Sequence, residues 1–307
     1  MRRRMQKELK SWTTIPIVHT YHWVRAESGD RVYSNPQFKV PANLPPSLRN
    51  GLVIYFIHGT GDNNGEISEF ALRLLGRRLH PLISEVDCLE FDERFEGKSI
   101  DDFAKQIVNK IQCNGHRVVG FVGHSRGGLL DTLVAEVYAK TQGFSVPFII
   151  NLGTPYKGSG WAMKPITHFS ASVKQMRTDS PFLKELAKKV ADSKVNYHFF
   201  GADRDVIVKP ENTYVRAYVD KHPESYIQVD ETHMSLLQSK SVDVHCWHII
   251  NQECESLLEK ALVKYTSIFS ECEINIEATG ELNEASIAIQ ADFEELETKD
   301  SISSLSL

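Results

Sequence analysis

The chain has 307 residues, 41% of them apolar, with a formal net charge of −5 at pH 7. That length and apolar content suit one large α/β domain with a substantial core and a terminal extension. The negative balance, with no basic stripe interleaved with aromatics, argues against nucleic acid as the main partner. No apolar run approaches the roughly 18–20 residues that cross a bilayer. The basic start Met1–Lys7 has no apolar stretch behind it, so no secretory signal peptide and a cytoplasmic location are expected. Cys88, Cys113, Cys246, Cys254 and Cys272 are odd in number and lack framework spacing, which predicts free thiols in a reducing compartment.

Residues 1–50 read as edge strands and a lead-in. Ile17–Val24, preceded by Pro16, and the shorter Arg31–Tyr33 are strand-like, with Gly29-Asp30 as a turn between them. An antiparallel pair at the edge of a sheet fits, since Pro16 cannot donate to a ladder. His19 and His22 fall on opposite faces of such a strand and read as ordinary strand residues. Leu52–Ile57 is apolar on both faces, as a central parallel strand should be. It runs into His58-Gly59-Thr60-Gly61-Asp62. Ile67–Leu79 has helical spacing, Val86–Phe91 reads as a short strand, and Ser99-Ile100-Asp101-Asp102 has the form of a capping box opening a helix to Ile111.

The run Arg117–Val122 reads as another buried strand, and the stretch from Leu129 as a helix. Between them lies Gly123-His124-Ser125-Arg126-Gly127-Gly128. A Gly-x-Ser-x-Gly turn between strand and helix resembles the nucleophile elbow of the α/β-hydrolases, where glycines leave room for a tight turn that exposes the serine. The alternation of strands and helices predicts a mainly parallel central sheet with helices on both faces. The resemblance implies that Ser125 is the nucleophile. It also implies an oxyanion hole formed by the backbone amides of Thr60, in the loop after the first central strand, and Arg126. His58 and His124 read as structural neighbours of that loop and of the elbow.

Val146–Leu152 is the next strand, and Asn151-Leu152-Gly153-Thr154-Pro155-Tyr156-Lys157-Gly158-Ser159 follows its end. This segment resembles the signature after the same strand in bacterial-type serine lipases, of the GPI inositol-deacylase-like and triacylglycerol lipase-like kind. Ser180-Pro181-Phe182-Leu183 adds to the likeness, which covers roughly residues 50–240. The resemblance implies a lid or cap insertion at about 156–194, with Tyr156, Trp161 and Met163 on the substrate-binding side. Asn196–Phe200 is a strand, followed by Asp203 and Asp205. The family pattern is Asp, any residue, then two β-branched residues, and Asp205-Val206-Ile207-Val208 matches it; Asp203 reads as a solvated turn residue. His233, after the strand Tyr226–Val229 and before Leu236-Leu237, resembles the family's catalytic His, and His222 is the weaker alternative. The order Ser, Asp, His is that of the α/β-hydrolases.

A closing helix is expected from about Val242 to Phe269, which ends an α/β-hydrolase core of residues 51–269. Cys246 and Cys254 share its apolar stripe with Ile250, so packing is favoured over a metal cluster with His245 and His248. Residues 270–307 are Glu-rich and poor in aromatics, and predict a disordered acidic tail. Glu294-Glu295-Leu296-Glu297 resembles C-terminal signals of some type IV-secreted bacterial proteins, which makes export through the tail the alternative location. The implied activity is hydrolysis of lipid or acyl esters by a Ser-His-Asp triad, with no metal or cofactor and with transient contact at a membrane surface. Thioester hydrolysis, acyl transfer and a non-catalytic binding role are the alternatives.

Overall fold

The computed structural model describes residues 29–41, 44–60, 64–91, 97–160 and 171–279. The expected strand Ile17–Val24, with His19 and His22, lies outside them, as do Gly61, Asp62, Trp161, Met163 and residues 280–307. The chain divides into two compact units, Met1–Val40 with Pro46–Glu255 and Pro41–Pro45 with Ser256–Leu307.

In the first unit, among the described residues, seven strands form one sheet. They are β1 (Arg31–Ser34), β2 (Leu52–Ile57), β3 (Ile83–Leu89), β4 (Val119–His124), β5 (Phe148–Leu152), β6 (Asn196–Ala202) and β7 (Tyr226–Val229). Their order is β1-β3-β2-β4-β5-β6-β7. Only β1 runs antiparallel, paired with β3; the other five pairings are parallel. Every residue of β2, β4 and β5 is buried, which explains why these runs are apolar without alternation.

Helices cover both faces. Phe56 of β2 packs on Phe70 of helix α1 (Asn64–Gly76), with ring centroids 6.0 Å apart. Val53, Tyr55 and Ile57, which point the other way, join a core cluster with Phe103, Ile107 and Ile111 of α2 (Ile100–Cys113). Leu129 and Leu130 of α3 (Arg126–Leu133) belong to the same cluster. A π-helical turn at Val134–Tyr138 continues α3 into α4 (Ala139–Gln142), and Gly143 ends it in the left-handed region at φ 75°. The capping box expected at Ser99 is present: its side chain accepts from the Asp102 amide, and its own amide donates to Asp102 Oδ2 at 2.9 Å.

After β5 come α5 (Ala171–Gln175) and α6 (Pro181–Ala191), within the stretch expected to hold a cap. A short α7 (Arg216–Val219) precedes β7. The last helix, α8, spans Lys240–Thr279, so it runs ten residues past the expected end into the segment read as a disordered tail. Its residues from Ser256 onward belong to the second unit. Cys246, Ile250 and Cys254 are buried along one stripe of α8, as expected of packing residues. Among the described residues, no helix is long and apolar enough to cross a membrane.

A polar layer lies inside this apolar frame. Thr132 Oγ1 bonds to the Gly128 carbonyl and to the Tyr156 hydroxyl, each at 2.6 Å, and Asn151 Nδ2 donates to the same hydroxyl at 2.6 Å. Asp131, fully buried beside them, has its carboxyl pushed well above the usual range by loss of water. Burial holds that proton in the folded state, while the unfolded chain releases it near pH 4, so this group makes stability fall as pH rises above that range. Asp131→Asn should remove that slope. In urea unfolding, its stability relative to the wild type should grow as pH rises above 4, and a pH-independent difference would contradict the assignment. Ser99→Ala should lower stability by about 1 kcal/mol through loss of the cap, read from the same unfolding curves.

Candidate active site

The site follows from the order of the strands. From β2 the chain steps to β3 on one side, whereas β4 leads on to β5 on the other. In an open parallel sheet, such a reversal leaves a crevice beyond the carboxyl ends of the two diverging strands. Ile57 at the end of β2 is in register with Gly123 near the end of β4. The turns that follow, His58-Gly59-Thr60 and His124-Ser125-Arg126, are therefore neighbours.

Ser125 sits at φ 54° and ψ −120°, a conformation few L residues adopt. It costs roughly 1–3 kcal/mol and persists only where the surroundings enforce it. The Ser125 amide donates to the Leu152 carbonyl at 2.8 Å, which ties the elbow to β5. A Cβ on Gly127 would lie 2.1 Å from the Ile57 carbonyl oxygen, and one on Gly128 would lie 1.9 Å from Thr154 Oγ1. Glycine at both positions lets α3 press against the sheet and force the turn. The Ser125 side chain does not cap the helix, so its hydroxyl is left for other use.

The predicted amide donors flank this serine. A Cβ on Gly59 would be 3.1 Å from Ser125 Cβ, so the loop that carries Thr60 lies directly against the Ser125 side chain. Thr60 itself is exposed. Arg126 opens α3, where first-turn amides have no intrahelical acceptor. Its guanidinium is turned away into the protein, 4.5 Å from the centroid of Phe103 and 3.4 Å from Ser172 Oγ, and burial lowers its pKa to about 10.

On the far side, His233 Nδ1 lies 2.6 Å from Asp205 Oδ2, and both residues are buried. Asp205 Oδ1 accepts from the amides of Ile207 and Val208, each at 2.8 Å. One carboxylate oxygen is thus held by the turn and the other presented to the imidazole. The His233 ring packs against Gly153, where a Cβ would approach its Cε1 and Nδ1 to 3.1 Å; Gly153 is also left-handed, at φ 62°. Leu152, whose carbonyl holds the Ser125 amide, is the preceding residue. Among the described residues, the Ser125 hydroxyl makes no hydrogen bond to His233.

The choice between the two aspartates has a plain structural counterpart. Asp203 is exposed and accepts from Gln228, whereas Asp205 is buried against the imidazole. His222 stands beside Glu224 and Tyr218, away from this cluster. Tyr156, expected on the substrate side, is instead a core residue, 2% exposed. Its ring packs edge-on against Phe199 and its hydroxyl is engaged by Thr132 and Asn151. His124 does more than neighbour the serine. Its Nε2 donates to the His233 carbonyl at 3.0 Å, and the two rings lie 4.9 Å apart, so the elbow itself steadies the loop that carries the imidazole. A histidine directly before the serine was visible in the sequence, but nothing there indicated which carbonyl it would meet.

No family model matches the chain. Among curated proteins, 80 of its residues, 25% of the chain, are 38% identical to the linear element-associated protein hop1 of Schizosaccharomyces pombe (strain 972 / ATCC 24843), and the match spans 15% of that protein's length. Among solved structures, the chain is similar to the mature form of the lipase BlEst2 of Bacillus licheniformis. The identity is 14% and the TM-score 0.50, over 72% of this chain and 98% of that one. It is also similar to the monoacylglycerol lipase of Paleococcus ferrophilus, at 15% identity and a TM-score of 0.52, over 76% of this chain and 99% of that one. Likeness at such identities speaks for architecture, and together with the strand order and the elbow it identifies this chain as having the α/β-hydrolase fold.

Proposed function

We propose that the protein is a serine carboxylic-ester hydrolase acting on lipid or acyl esters. The observation that carries this reading is the buried 2.6 Å pair of His233 and Asp205, set beyond the strained turn of Ser125. The two structures with this fold are named lipases, which supports a lipid ester as the substrate class. The resemblance of residues 151–159 and 180–183 to bacterial lipases supports the same class.

In this mechanism Asp205 holds the Nδ1–H tautomer of His233 and stabilises the imidazolium that forms. His233 Nε2 takes the Ser125 proton as Oγ attacks the ester carbonyl. The amides of Thr60 and Arg126 receive the oxyanion, at the positively polarised start of α3. His233 then protonates the leaving alcohol, and water, activated by the same imidazole, releases the acyl group.

The test is hydrolysis of p-nitrophenyl esters of increasing acyl length, below and above micelle formation. Ser125→Ala and His233→Ala should each cut turnover by about 10⁴-fold or more, and Asp205→Asn by about 10⁴-fold. A wild-type protein whose Ser125 never reacts with a fluorophosphonate probe would favour the binding role. Turnover unaffected by the Ser125 and His233 substitutions would overturn the mechanism. Product analysis with an added alcohol separates hydrolysis from acyl transfer.

A further inference from the structure

A second cluster of chemically competent side chains lies between β3 and the turn that precedes β4. Glu85 and Asp87 are two residues apart on β3 and so share one face. His116, in the turn between α2 and β4, meets them there. One ligand atom from each of the three lies within 4.8 Å of the others. His116 Nε2 is 3.0 Å from Glu85 Oε1. Asp87 is only 2% exposed, and its Oδ1 makes no hydrogen bond, an arrangement that costs free energy unless something positive completes it.

We propose that Glu85, Asp87 and His116 form a divalent-cation site, independent of Ser125 and its chemistry. The donor set is one imidazole and two carboxylates with no thiolate, which suits Zn²⁺ and, with added waters, Mn²⁺ or Co²⁺. Atoms sharing a tetrahedral Zn²⁺ lie roughly 3.3 Å apart, so the three side chains need to draw in by at most about 1.5 Å. Glu85 and His116 remain partly exposed, at 28% and 15%, which leaves a route for the ion and room for water as a further ligand.

The outer shell fits the same role. Tyr55, opposite Asp87 in the strand register, places its hydroxyl 2.7 Å from His116 Nδ1. With Nε2 turned to the ion, Nδ1 carries the proton and donates to that hydroxyl, which fixes the tautomer and the ring orientation. Lys110, a charged neighbour of Asp87, is engaged by Asp30 at 2.5 Å and by the Glu90 carbonyl. A bound ion would tie β3 to the turn that feeds β4, so its effect would fall on stability.

The experiment uses the full chain, stripped with chelator and titrated with ZnCl₂ and CoCl₂ by calorimetry, visible absorption and thermal unfolding. The wild type should bind Co²⁺ with ligand-field bands and gain melting temperature with Zn²⁺. Asp87→Asn and His116→Gln should each weaken binding at least tenfold and abolish the bands. Glu85→Gln, at a partly exposed position that should not impair folding, should weaken binding while far-UV circular dichroism stays unchanged. Binding and bands that persist equally in all three variants would overturn the site, as would a wild type that takes up neither metal.

Discussion

Ser125 can occupy its left-handed backbone conformation only because the chain on either side of it has nowhere else to go. Its amide is fixed to Leu152, Gly127 lies under the Ile57 carbonyl, and Gly128 lies against Thr154 and Asn151. Three strands thus converge on one dihedral angle. The strain they impose, on the order of a few kcal/mol, is carried by the buried β2–β4–β5 sheet, which has enough apolar burial to absorb it. The His233 loop depends on the same turn, since His124 holds its carbonyl and Gly153 leaves room for its ring.

The polar layer beneath the elbow explains why that region tolerates little else. Asn151, Thr132 and Tyr156 are linked in a short chain of bonds, and Asp131 sits next to them with burial favouring its protonated form. Such networks specify a single arrangement, because any partner that shifts leaves a polar atom dry. Tyr156 therefore belongs to the support of the turn, although its place in a lipase-like sequence segment suggested a different duty.

Much of this was legible in the residues themselves. Continuous apolar runs announced the buried parallel strands, and the Ser99–Asp102 spacing announced the cap. What escaped was set by contacts between distant segments. Glu85, Asp87 and His116 meet only because β3 lies beside β2 and the α2–β4 turn folds back over them, and no local spacing encodes that. The extent of α8 escaped for a different reason. Its charged later residues weaken the periodic apolar signal on which a sequence-based boundary depends, yet the backbone remains helical to Thr279.

The π turn at Val134–Tyr138 has its own consequence for how the two halves of the sheet are joined. A turn closed by bonds to the fifth residue accommodates one residue more than an α turn, so everything after it is rotated by about 100° relative to an uninterrupted helix. Within that rotated stretch, Glu136 Oε1 accepts from Tyr197 at 2.7 Å and from Ser193 at 2.5 Å, a bracket between the elbow helix and the start of β6. A single-residue deletion there would restore regular pitch and swing this carboxylate off its two hydroxyls, uncoupling the helix that follows Ser125 from the strand that leads to Asp205.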